Sequence, residues 1–184
     1  MKTKWISKKI KYDGTQLSSL YAYLNHGIQG DSAIAFEGPC DVSFEHMVDG
    51  EDLLEKSAIK GSHMLHFLFE IFDRELVSGV FLQRLFASLV ADEVLKRTEI
   101  KLTRKGDDLY WGKKKLSISI ATKTPVSVVV HFAMNVSNKG TPVETSSLED
   151  LKIKPQALAK SLLDQVSAEY ESILTARVKV RPVS

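Results

Sequence analysis

The 184-residue sequence predicts an α+β fold in which a mixed, largely antiparallel sheet is flanked by helices. Three observations carry that expectation. Residues 77–97 keep a helical period, with Val80, Leu85, Leu89, Val94 and Leu95 set among Gln83, Arg84, Asp92, Glu93, Lys96 and Arg97. Directly after them the period changes, and residues 100–103, 108–111, 115–121 and 126–136 read as successive strands rich in Ile and Val. Pro155 then opens a second amphipathic helix that runs to about Ala176.

The remaining elements follow in order. Residues 4–12 alternate weakly and end at the turn signal Asp13-Gly14. Thr15 reads as the N-cap of a short helix with Leu17, Leu20, Tyr21 and Leu24 on one face, ended by Gly27. Residues 31–36 read as a strand that Gly38-Pro39 breaks. Residues 40–59 combine a short strand at 42–44 with an acidic turn, Asp49-Gly50-Glu51-Asp52. Residues 62–72 are expected as a buried strand, although their length also permits a helix. Turns fall at Lys105-Gly106, Gly112 and Thr124-Pro125, and Ser146 or Ser147 caps a short turn at 148–151. Residues 177–184 read as an edge strand or a tail. No repeat, low-complexity tract or long linker divides the chain, so residues 1–184 are expected to form one domain.

Composition excludes several function classes. Hydrophobic residues at 43% and charged residues at 26% are those of a globular chain rather than a disordered one. A formal net charge of +2 gives no footprint for nucleic acid, where phosphate neutralisation favours clustered Lys and Arg. The apolar stretches at 64–72 and 126–134 fall well short of the roughly 18 residues of a spanning helix, so no membrane partner is expected. Cys40 is the only cysteine, which fits a reducing, cytoplasmic setting.

Three chemistry-bearing segments occur in order in the strand-rich half. Gly106-Asp107-Asp108-Leu109-Tyr110-Trp111 comes first, then Gly112-Lys113-Lys114-Lys115-Leu116-Ser117-Ile118-Ser119-Ile120-Ala121. After the Thr124-Pro125 turn comes Val128-Val129-Val130-His131-Phe132-Ala133-Met134-Asn135-Val136-Ser137-Asn138. Taken singly, each has a plain structural reading. Lys113–Lys115 suits a hairpin of solvated lysines, Asp107-Asp108 suits a turn, and Asn135 suits a strand end bonded to its own backbone.

Taken together, the set resembles the catalytic core of biotin and lipoate protein ligases. Those enzymes carry an Asn-Asp pair leading a strand, a tight turn, a lysine followed by alternating apolar and small residues, and a strand ending Gly-Ile-Asn-Val or a His-containing equivalent. Asp107-Asp108 stands here for Asn-Asp, Lys115 for the lysine, and Ala133-Met134-Asn135-Val136 for Gly-Ile-Asn-Val. Leu148-Glu149-Asp150-Leu151 is similar to the short helix that follows in the ligases. The resemblance implies a ligase or acyltransferase that activates or transfers a small carboxylic acid, with ATP and magnesium as cofactors. It implies Lys115 as the cation that brings carboxylate and phosphate together, a task suited to a compact ammonium on a rigid strand. It implies Asp108 as the group that orients this lysine or a metal ion, and Asn135 as a hydrogen-bonding group of the same pocket.

The chain departs from the ligases in two places. Ile118 or Ser119 stands where they have a glycine against the bound acid. Their glycine- and arginine-rich loop, which wraps the adenylate, has no counterpart beyond Gly38-Pro39-Cys40-Asp41 and Lys60-Gly61-Ser62. That upstream region, from Phe36-Glu37-Gly38-Pro39-Cys40-Asp41-Val42 through Glu45-His46-Met47-Val48-Asp49 to Met64-Leu65-His66-Phe67, resembles the family called domain of unknown function 366. The likeness runs over nearly the whole chain. It implies the ligase-like fold, shared with class II aminoacyl-tRNA synthetases, and leaves the reaction open. The rival expectation is a non-catalytic ligand-binding module, or a homodimeric interaction module, that has lost the phosphate loop.

Further candidates lie upstream. Asp41, Glu45, His46 and Asp49 form a dense polar cluster beside a Gly-Pro turn, suited to a surface turn, a general base or a divalent metal. A metal-dependent hydrolase built on Asp41, Glu45 and His46 is the third expectation. Cys40 is either an acyl-transfer nucleophile or a small buried apolar residue. His63, His66 and Glu70 would share a face on a helix and could bind zinc, but on a strand His63 and His66 point to opposite faces. His46, His66 and His131 are individual pocket candidates, and no metal ligand set is assigned.

Overall fold

A computed structural model describes residues 1–56, 59–141 and 143–183; Ser57, Ala58, Pro142 and Ser184 lie outside the described residues. In chain order the elements are β1 (Lys2–Ile6), α1 (Tyr21–His26), β2 (Ser32–Val42), a 3-10 turn (Phe44–His46), α2 (Gly50–Glu55) and β3 (Ile59–Phe72). The long helix α3 (Leu76–Thr98) follows, then β4 (Thr103–Lys105), β5 (Asp108–Trp111), β6 (Lys114–Lys115), β7 (Ser117–Lys123), β8 (Ser127–Asn135) and α4 (Pro155–Ala176). The main sheet has the order β1-β2-β3-β8-β7, and β4-β5-β6 form a small second sheet. Among the described strand pairs β1 with β2 is parallel and the others are antiparallel, as a mixed, largely antiparallel sheet requires.

Alternation along the three central strands gives the main sheet two different faces. One face carries Ala33, Ala35, Leu65, Phe67, Phe69, Val130, Phe132 and Met134, and α3 and α4 pack on it. Phe86 of α3 sits with its ring 4.8 Å from Phe67 and Phe69 and 5.1 Å from Phe132. Truncating it would cost about 3–5 kcal/mol. Gly79 lets the same helix approach the sheet, since a Cβ there would meet Val128 Cγ1 at 2.3 Å. The other face carries Ile34, Phe36, Met64, Leu68 and Ala133, covered by Tyr12, Leu17, Tyr21 and Ala22. That cover is incomplete toward β7, and the candidate site opens there.

Residues 62–72 are strand rather than helix, and they lie inside the longer β3. Several local expectations differ. Thr15 does not cap α1: its backbone N–H and hydroxyl bond Asp13 Oδ1, and the helix starts only at Tyr21, after Leu20 at φ 64°. Gly38-Pro39 does not end β2, because a bulge between Gly38 and Cys40 absorbs the irregularity and pairing with β3 resumes. The expected strand at 42–44 is the end of β2 followed by the 3-10 turn. The acidic turn at 49–52 is the start of α2, whose N-cap Asp49 accepts from the N–H groups of Glu51 and Asp52. Residues 177–183 form no strand.

Candidate functional site

The site begins with a hairpin. β5 and β6 are joined through Gly112-Lys113, a two-residue loop with Gly112 at φ 62°, and Trp111 pairs with Lys114 across it. That register puts Tyr110 opposite Lys115, so Asp108, two residues earlier on the same face, is the diagonal neighbour of the lysine. Lys115 Nζ lies 2.8 Å from Asp108 Oδ2, with 34% and 24% of the two side chains exposed. Tyr110 donates its hydroxyl hydrogen to the same carboxylate at 3.3 Å. Lys113 and Lys114 point to solvent, and Lys114 pairs with Glu144.

Asn135 holds the lysine's backbone. Its Nδ2 donates to the Lys115 carbonyl at 3.4 Å and to the Ser146 carbonyl at 3.2 Å, and Ser146 N–H donates to Lys115 O. Asp107 is fixed separately, accepting at Oδ2 from Ser119 Oγ at 2.6 Å and Gln83 Nε2 at 2.9 Å.

A cavity of about 300 Å³ lies over this corner of the sheet, with Lys115, Asp108, Ile118, His46, Tyr12 and His131 among its walls. A second lobe of about 300 Å³, toward Asn135 and Thr145, shares Lys115, Ile118, Asp52 and Ile59 with the first. The two lobes therefore meet at the lysine. Ile118 lines both lobes beside it.

Beneath the first lobe lies a buried chain of hydrogen bonds. His66 Nε2 is 3.2 Å from the Gly38 carbonyl, and His66 Nδ1 is 3.0 Å from His131 Nε2. A carbonyl only accepts, so His66 carries its proton on Nε2 and its Nδ1 is the acceptor. His131 must then donate from Nε2, which leaves the lone pair of its Nδ1 unused by the pair. Burial pushes His66 down to about 4 and His131 well below the usual histidine range, so both rings are neutral near pH 7. Tyr12 stacks on His131 at 3.7 Å between ring centroids.

Tyr12 gets there because the segment before it crosses the β2 bulge. Ile10 N–H bonds Glu37 O and Tyr12 N–H bonds Pro39 O. Gly38 makes the crossing feasible, since a Cβ on it would come within 1.8 Å of Ile10 O.

The candidates therefore separate. Lys115, Asp108, Asn135, His131 and His46 line the two lobes. His66 sits behind His131, fully buried. Asp41 faces outward, paired with Lys11 at 3.1 Å and Lys60 at 3.4 Å, and Glu45 is exposed. His46 also lines a neighbouring cavity together with Asp41, Lys11, Asp13 and Lys60, a wall that Glu45 does not join. Among the described residues, no group of three or more His, Cys, Asp or Glu is arranged to hold a metal ion. His63 pairs with Glu37 at 2.7 Å, away from His66. Cys40 is buried, and burial pushes its thiol up to about 12, which suppresses the thiolate a nucleophile requires. Sequence reasoning missed Tyr12, Asp52 and the Asp107–Ser119–Gln83 network. The Asp49-to-Asp52 spacing of a helix cap was a usable signal for α2.

ATP with magnesium fits these walls poorly. A triphosphate needs arginines or converging backbone N–H groups. The segment over the first lobe instead brings Asp49, Glu51, Asp52 and Glu55, with Asp107 and Asp108 opposite; among the described residues Lys115 is the only lysine or arginine lining that lobe, and Lys60 joins it in the second.

Comparison with known proteins agrees with the fold. The family model described as domain of unknown function (DUF366) matches residues 1–181. Uncharacterized protein MJ0805 of Methanocaldococcus jannaschii is 36% identical over 155 residues, 82% of this chain and 70% of that protein. A protein of unknown function from Pyrococcus horikoshi superposes with a TM-score of 0.93 at 37% identity, over 99% of this chain and 100% of that one. Biotin protein ligase from Aquifex aeolicus, in complex with biotin and ATP, gives a TM-score of 0.59 at 15% identity, over 91% of this chain and 69% of that one. No described helix is long and apolar enough to cross a membrane. The chain belongs to the DUF366 family and has the fold of the biotin and lipoate protein ligases.

Proposed function

We propose that the protein binds a small carboxylic acid over Lys115 and activates or transfers its acyl group. The observation that carries this reading is the Lys115–Asp108 pair, 2.8 Å apart and half-buried where the two lobes of the cavity meet. An ammonium in that position attracts a carboxylate, and it also stabilises the oxyanion that develops when an acyl carbon is attacked. Asp108 orients the lysine from the side and Asn135 anchors its backbone, so the charge needs no reorganisation when the acid arrives. Structural neighbours support the acid: the Aquifex enzyme was solved with biotin and ATP, and protein Ta0514 from T. acidophilum with lipoic acid. The acceptor or acyl donor would come as a second substrate.

One observation favours a second reading, a ligand-binding module without catalysis. The loop that would cradle phosphate is acidic here and has no arginine. A thermal-shift screen with lipoate, biotin, octanoate and amino acids, each with and without ATP, tests both. Stabilisation by an acid that disappears in Lys115→Ala is the expected result, and further stabilisation by ATP would favour nucleotide-driven activation. A screen with no shift for any acid would overturn the reading.

A further inference from the structure

The charge around the cavity is lopsided. Six carboxylates, those of Asp49, Glu51, Asp52, Glu55, Asp107 and Asp108, line the lobe that contains a single lysine, and that lysine is already paired with Asp108. Several of the six, Glu55 among them, are also engaged elsewhere. Asp49 caps α2, Asp107 accepts from Ser119 and Gln83, and Asp108 holds Lys115.

Asp52 is different. It is half-buried on the cavity-facing side of α2, it lines both lobes, and no hydrogen bond or ion pair to another described residue closes on its carboxylate. Burial and the neighbouring Asp49 raise its affinity for a proton, with Glu55 and Glu51 adding to the same effect and Lys115 opposing it. A carboxylate in these surroundings is stabilised by an added positive charge.

A second observation, independent of the acidic wall, also points to a ligand. The floor of the same lobe is made by Tyr12 and His131, each only 3% exposed. The Tyr12 hydroxyl has no hydrogen-bond partner among the described residues, and the bond to His66 leaves His131 Nδ1 as a bare acceptor. Both side chains line the first lobe, so a ligand held there can supply the partner that each lacks. The acceptor on His131 cannot become a donor without protonating a buried ring.

We infer that the first lobe is a subsite for an organic ammonium, with the Asp52 carboxylate as its counter-ion and the Tyr12 and His131 floor accepting further hydrogen bonds. The acid bound over Lys115 is then one that also carries an amine. The carboxylate end of that ligand rests on the reading of Lys115 given above; the ammonium end rests on Asp52 and the floor alone.

Titration calorimetry with matched probes separates the two: straight-chain carboxylic acids, their ω-amino counterparts and the corresponding alkylamines, over several chain lengths. The best ω-amino acid should bind roughly tenfold or more tightly than its plain counterpart, and Asp52→Asn should remove most of that advantage while leaving the plain acid unweakened. Asp52 is on a short surface helix, so the variant is expected to fold. Plain acids binding as well as or better than ω-amino acids would overturn the ammonium subsite and leave the carboxylate reading intact. Alkylamines binding as well as ω-amino acids, unaffected by Lys115→Ala but lost in Asp52→Asn, would support the subsite and overturn the carboxylate reading. An ω-amino advantage that survives Asp52→Asn unchanged overturns the assignment of Asp52.

Discussion

Lys115 and Asp108 are diagonal neighbours on the β5–β6 hairpin, 2.8 Å apart and both partly open to solvent. An ion pair of that exposure contributes little to stability, about 1 kcal/mol or less. Asp108→Asn should therefore leave the denaturant midpoint almost unchanged while loosening the lysine. A loss of several kcal/mol in that variant would mean the pair is a structural brace rather than a poised charge.

Gly38 is where the first segment crosses the sheet, with Ile10 O in the space a side chain would occupy. Gly38→Ala forces that backbone apart, and with it the Tyr12 cover over His131 and the carbonyl that accepts from His66. The expected cost is about 3 kcal/mol or more, read by chemical denaturation and soluble yield. A variant of unchanged stability would contradict the close crossing.

The buried His66–His131 pair predicts a pH dependence. Both rings are neutral in the fold, His66 being pushed from 6.5 to about 4, whereas in the unfolded chain they titrate at the ordinary value. The unfolded state then binds more protons between about 4 and 6.5, so the stabilisation is complete above 6.5 and is lost as the pH falls toward 4. The loss should reach a few kcal/mol. Ring nitrogen NMR checks the cause directly: both residues should show Nε2–H neutral rings, unchanged from pH 7 down to pH ~5. A ring that protonates near 6.5 would contradict the hydrogen-bond chain.

Asn135 joins the Lys115 and Ser146 carbonyls through one amide nitrogen. Asn135→Leu should cost about 1–3 kcal/mol, because a buried carbonyl loses its donor. Asn135→Asp should cost more, since it sets a carboxylate against two carbonyl oxygens. If the two variants were equally stable, the amide would not be the link between strand and loop.

Much of this architecture was legible because long apolar periods leave little choice. The strand at 62–72 and the helices at 77–97 and 155–176 each match an observed element to within a few residues. The failures lie where local chemistry competes with period. Gly38-Pro39 reads as a break, yet a bulge passes the strand through it, because β3 pairs on both sides. Thr15 reads as a cap, yet Asp13 two residues earlier takes its donors. Residues 115–121 read as one strand, but they split at Leu116, whose N–H bonds Leu109 O instead of continuing the main ladder. In the site, Lys115, Asp108 and Asn135 could be named from their order along the chain. Tyr12 and Asp52 could not, since each reaches the cavity only through tertiary folding, Tyr12 from the end of a weakly alternating stretch and Asp52 from a segment that reads as an acidic turn.

The most direct measurement is titration calorimetry with the acid that stabilises the protein most, comparing wild type, Lys115→Met and Lys113→Met. Lys113 lies in the loop of the same hairpin with its side chain in solvent, so it controls for net charge. Wild-type affinity is expected in Lys113→Met and a loss of about tenfold or more in Lys115→Met. Equal affinity in all three proteins would contradict it.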